Sequence, residues 1–101
     1  MPQIKTYNYQ FHGGPNGYQG NRAIIRLQDA ANKSVAYVHF VPAGNPIPAD
    51  TNNPPWIRMY MPESALPAVI DMLREEGPVS VYYAVGSGFL HTGEEPIGEA
   101  E

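Results

Sequence analysis

The chain contains no cysteine. That excludes a disulfide framework and any zinc site built on thiolates. It also lacks a long apolar run: its apolar stretches are a few residues each, against the ~20 that a membrane-crossing helix requires. No membrane association is expected. Met1 is followed by Pro2, Gln3 and Ile4, without the basic and apolar regions of a secretory signal, so a cytoplasmic setting is the expectation. Positive charge is scarce, with six Lys and Arg against ten Asp and Glu. The basic stripe of a duplex-DNA binder cannot be assembled from so few cations.

Glycine, proline and tyrosine are plentiful instead, at 10, 11 and 7 residues. Gly and Pro at this density imply many turns between short elements. Tyr suits half-buried sheet faces, its ring inside and its hydroxyl reaching water. The length of 101 residues fits one domain, expected over residues 1–93. Glu94, Glu95, Glu99 and Glu101 supply four of the ten acids, leaving 1–93 with six acids and six bases. Residues 94–101 read as an acidic, flexible tail.

Residues 4–11 alternate, with Lys5, Tyr7, Tyr9 and Phe11 on one side and Thr6, Asn8 and Gln10 on the other, which suits a first strand. The glycines between 12 and 21 mark a loop. Residues 23–28 and 34–41 read as two strands of an antiparallel hairpin joined by the polar turn 29–33. Residues 42–55 carry too many prolines for a central strand or a helix, and 56–61 is a further strand. Leu66, Val69, Ile70 and Leu73 stand at i, i+3, i+4 and i+7, one apolar stripe of an amphipathic helix over about 63–76. Pro67 fits only in its first turn, and Gly77-Pro78 stops it. A last hairpin, 79–85 with 89–92, turns at Gly86-Ser87-Gly88. The expected fold class is α+β: an antiparallel sheet of about five to six strands with one helix packed on one face.

None of the short motifs carries catalysis. His12-Gly13-Gly14 resembles the oxyanion loops of lipases, but no Gly-x-Ser-x-Gly elbow accompanies it. The glycine loop lacks the Lys-Ser/Thr of a phosphate loop. His12, His39 and His91 show no metal-ligand spacing, and Ser34, His39 and Asp50 form a triad only on paper. Asp71, Glu75 and Glu76 read as a solvated helix face. No catalytic residue, metal or cofactor is assigned, and a small hydrolase or ligand-binding protein is the weakest reading.

A single helix covers one face of a sheet, so the other must meet water, a partner or a ligand. With Ile25, Leu27, Val38, Phe40, Ile57 and Met59 inside, the outer face takes Arg26, Gln28, Tyr37, His39, Trp56, Arg58 and Tyr60, with Tyr82 joining from the last hairpin. Trp, Tyr and Arg are the residues enriched at the centres of protein interfaces. Arg interleaved with aromatics also suits single-stranded nucleic acid, and plain cross-strand packing would use the same residues. The order of strands then helix over 22–76 is similar in outline to single-stranded-DNA-binding domains of the Whirly and transcriptional-coactivator type. No motif of theirs is matched, and the hairpin after the helix departs from the simplest such pattern. The expected function is a small non-enzymatic interaction domain that self-associates, as a homodimer, or binds a protein through the open face. Single-stranded nucleic-acid binding is the alternative, disfavoured by the net charge of −4.

Overall fold

The computed structural model of the chain describes residues 3–14, 17–18, 20–53, 56–75 and 79–92. The acidic stretch 94–101 and the Gly77-Pro78 stop lie outside them. Within the described residues, eight strands and one helix form an α+β fold. They are β1 (Gln3–Ile4), β2 (Thr6–Phe11), β3 (Ala23–Gln28), β4 (Ser34–Val41), β5 (Thr51–Asn53), β6 (Trp56–Pro62), a 3-10 turn (Glu63–Ala65) leading into α1 (Leu66–Glu75), then β7 (Val79–Ala84) and β8 (Ser87–Thr92).

The strands make two sheets rather than one: a five-stranded sheet ordered β2-β3-β4-β6-β5 and a three-stranded one ordered β1-β7-β8. The segment expected as one first strand serves both. Ile4 pairs with Val79 and Thr6 with Gln28, while the N–H of Lys5 between them donates to the carbonyl of Gln28 at 2.8 Å. Most pairings are antiparallel. The exception is β4 with β6, which run parallel, Tyr37 opposite Arg58 and His39 opposite Tyr60. Parallel neighbours need a long return connection, and the proline-rich segment after β4 supplies it. That segment also lays down β5 as a short edge strand on β6.

Alternation sorts the side chains of the large sheet. Ala23, Ile25 and Leu27 of β3, Ala36, Val38 and Phe40 of β4 and Met59 of β6 are buried in one cluster with Val81 of β7 and Val69 of α1. Leu66, Ile70 and Leu73 of the helix stripe pack against this cluster, half-buried. The small sheet therefore shares with α1 the task of covering the inner face. Pro67 sits in the first turn of α1, where a missing N–H costs no hydrogen bond. No helix among the described residues is long and apolar enough to cross a membrane.

The β7–β8 turn contains a local conflict. Val85 and Gly86 both have positive φ, 53° and 78°. Two-residue hairpin turns of this kind favour Asn-Gly, whereas a β-branched residue is strained there. Val85 is also fully exposed, so its side chain recovers nothing by burial. Val85→Asn should raise stability by about 1 kcal/mol, measured as a higher urea midpoint. No gain would mean that the turn adopts another geometry in solution.

Candidate interaction face

Two lateral rows of side chains cross the outer face of the large sheet. The pairing register aligns Asn8, Arg26, Tyr37, Arg58 and Thr51 in one row. Gln10, Ile24, His39 and Tyr60 form the next. Between β2 and β6 the face dips into a hollow of about 450 Å³, lined by Asn8, Gln10, Ile24, Arg26, Tyr37, His39 and Arg58.

Arg58 organises the hollow. Its guanidinium lies 4.9 Å from the ring centre of Tyr37 and 5.9 Å from that of Trp56, within reach of cation–π attraction. Tyr37 and Trp56 meet edge to face at 5.9 Å. Arg58 Nη1 lies 3.2 Å from His39 Nε2. A guanidinium only donates, so Nε2 accepts, the imidazole is neutral and its proton sits on Nδ1. The His39 ring stacks on Tyr60, centroids 4.8 Å apart and planes 15° from parallel. Only 6% of His39 is exposed, and its Nδ1 is buried with no hydrogen-bond partner among the described residues. Burial, and secondarily the charge of Arg58, lowers the His39 pKa from 6.5 to about 4.

Six of the eight expected face residues are thus brought together: Arg26, Tyr37, His39, Trp56, Arg58 and Tyr60. Gln28 and Tyr82 are not among them. Gln28 lies at the end of β3 beyond a register shift, where its amide donates to the Asn32 carbonyl and accepts from the Thr6 hydroxyl. The last hairpin builds its own sheet with β1, and there Tyr82 stacks on Phe89 at 4.7 Å and meets His91 edge-on. Asn8 and Gln10 were not expected on the face. Their signal was the polar side of the alternation over 4–11, but placing them beside Arg26 needed the β2–β3 register.

Comparison with family models, curated proteins and solved structures gives no match. What the face can do follows from its chemistry. The paper triad does not assemble. Ser34 and His39 are five residues apart on one strand, about 16 Å, and His39 Nε2 is occupied by Arg58. Both oxygens of Asp50 accept backbone N–H groups, from Tyr60 and from Gly88, each at 2.8 Å. His12 is occupied too, with Nδ1 2.8 Å from the Asn21 carbonyl and Nε2 3.0 Å from the Gln10 amide. In the loop of His12, Gly13 and Gly14, the carbonyls of His12 and Gly14 accept from Arg22 Nη1 at 2.8 Å, an arrangement for holding a loop. No group of three His, Asp or Glu able to hold a metal occurs among the described residues.

The charges are the informative part. Among the described residues, one ion pair occurs, Arg22 with Glu63 at 3.4 Å. Arg26 and Arg58, both in the hollow, have no carboxylate of a described residue within that reach.

Proposed function

We propose that this chain is a non-enzymatic interaction domain whose open face receives an extended, carboxylate-bearing segment of a protein partner. The observation that carries the reading is the pair of guanidinium groups, Arg26 and Arg58, that share one hollow without an ion pair among the described residues. Arg58 is held in place by Tyr37, Trp56 and His39 before any partner arrives, so little conformational entropy is lost on binding. Carboxylates match a guanidinium with two parallel hydrogen bonds, and Asn8 and Gln10 add amide donors at the rim.

Two alternatives fit less well. Nucleic-acid strands are held by a tract of cations and by ring faces free to stack. This face has two cations, and Tyr60 and Tyr37 already lay a ring face against His39 and Arg58. Self-association face to face about a two-fold axis would bring a cationic patch onto its own copy, and none of the described residues lining the hollow is a carboxylate.

Trp56 is 40% exposed and is the sole tryptophan, so its emission reports on the face. An extended peptide alternating Glu and Val should shift that emission saturably. Arg58→Gln should weaken the binding about 10-fold or more, the size of a lost charge-assisted bond. Oligothymidylate should leave the emission unchanged. Saturable quenching by oligothymidylate without a response to the peptide would make this a nucleic-acid face. Silence towards both would remove the proposal.

A further inference from the structure

The strand β2 closes one side of the five-stranded sheet and, among the described residues, pairs with β3 alone. The N–H of His12 donates to the carbonyl of Arg22 at 2.8 Å, and residues 12 and 22 continue the β2–β3 register. In an antiparallel ladder the hydrogen-bonded pairs recur at every second residue. Asn8 and Gln10 therefore turn their backbone groups inward to β3, and Tyr7, Tyr9 and Phe11 turn theirs to the free edge.

Two of these three carry exposed aromatic surface, while Tyr7 packs against the core. Tyr9 is 47% exposed and Phe11 59%, in a run of rings with Tyr7–Tyr9 centroids 6.2 Å apart and Tyr9–Phe11 5.3 Å apart. Open strand edges usually carry a charge, a proline or a bulge that blocks pairing. From Thr6 to Phe11 there is none of these. The opposite edge is guarded: β5 spans three residues and is flanked by prolines.

We propose that β2 is the contact through which two copies of this chain associate, edge to edge and antiparallel, about a two-fold axis at Tyr9. The strand is self-complementary. Tyr9 pairs with the partner's Tyr9, Tyr7 with the partner's Phe11 and Asn8 with the partner's Gln10. The backbone groups of Tyr7, Tyr9 and Phe11 then find partners, six rings gather on one side, and the uncharged strands meet without repulsion. The two large sheets become one, and their outer faces become continuous across a seam of Asn8 and Gln10 from both copies. The pairing does not depend on what that face binds.

A cysteine-free chain allows a direct test. Residues on the axis form a hydrogen-bonded pair with Cα atoms about 5.5 Å apart, within disulfide reach. Tyr9→Cys should therefore oxidise to a covalent dimer at least about 10-fold faster than Asn8→Cys, which stands opposite a different residue of the partner. The wild-type chain should sediment as a dimer at about 100 μM, and Tyr9→Lys, which sets like charges face to face, should sediment as a monomer. Tyr9→Lys leaves Trp56 and Arg58 in place, so peptide binding by each copy should persist. A monomeric wild type, or equal oxidation rates for the two cysteine variants, would overturn the proposal.

Discussion

Asp50→Ala should lower the stability of the fold by about 2–4 kcal/mol, the loss of two hydrogen bonds to a charged acceptor. The carboxylate joins the two sheets. Oδ1 accepts the N–H of Tyr60 in the large sheet and Oδ2 the N–H of Gly88 in the small one, both at 2.8 Å. Gly88 sits where β8 meets β6, and a Cβ at that position would run into the side chain of Met59. Bare backbone must therefore approach there, and its N–H needs an acceptor that β7 does not supply. Alanine leaves both donors to whatever water can reach them, and the half-burial of Asp50 limits that rescue. Asp50→Asn separates charge from geometry. An amide offers one acceptor oxygen and turns an NH₂ towards the second donor, so its loss should fall between those of wild type and Ala. Urea unfolding measures all three. A cost below about half a kcal/mol for Ala would show that the sheets hold together without the clip.

Asp50 also shows where reading the chain alone stops. The alternations at 23–28 and 34–41 and the apolar stripe of the helix are local, and each places its residues on the correct side of the sheet. The role of Asp50 depends on Tyr60 and Gly88, which no spacing connects to it. The break at Lys5 was hidden because the alternation of 4–11 runs through it unchanged, although the chain moves from one sheet to the other. The parallel β4–β6 pair was hidden in the same way. A proline-rich connection signals irregular backbone but not the direction in which it returns, and Thr51–Asn53 carries no apolar pattern to mark an edge strand. The face was legible in outline because β-strand parity assigns Arg26, Tyr37, His39, Trp56, Arg58 and Tyr60 to the outside. Its hollow was not, because contact between Arg58 and Tyr37 or between His39 and Tyr60 requires the parallel register. Tyr82 was misplaced for the converse reason: parity says which side of a sheet a residue takes, not which sheet.

His39 makes the second large effect a matter of pH. Parity puts it on the outer face, where a histidine would ordinarily be wet and titrate near 6.5. Tyr60 and Arg58 bury it there, and its pKa falls to about 4. The folded chain therefore binds a proton on His39 only below about pH 4, whereas the unfolded chain binds it below about 6.5. At pH values between these two the unfolded state holds more protons, so stability rises with pH through this window. The contribution is complete above 6.5 and is lost as pH falls towards 4. Between about pH 7.5 and about pH 5 the loss from this one group comes to about 2 kcal/mol. His39→Phe keeps an aromatic ring against Tyr60 but has nothing to titrate. Its urea-derived stability should fall over the same interval by about 2 kcal/mol less than that of the wild type. Carboxylates and the other histidines contribute equally to both chains and cancel in the comparison. The same proton also acts on the face. A protonated His39 no longer offers Nε2 to Arg58 and repels its charge, so the guanidinium loses one of the contacts that hold it over Tyr37. Slopes that agree within a few tenths of a kcal/mol would mean that His39 is solvated in both states, and the preorganisation of Arg58 would lose its support.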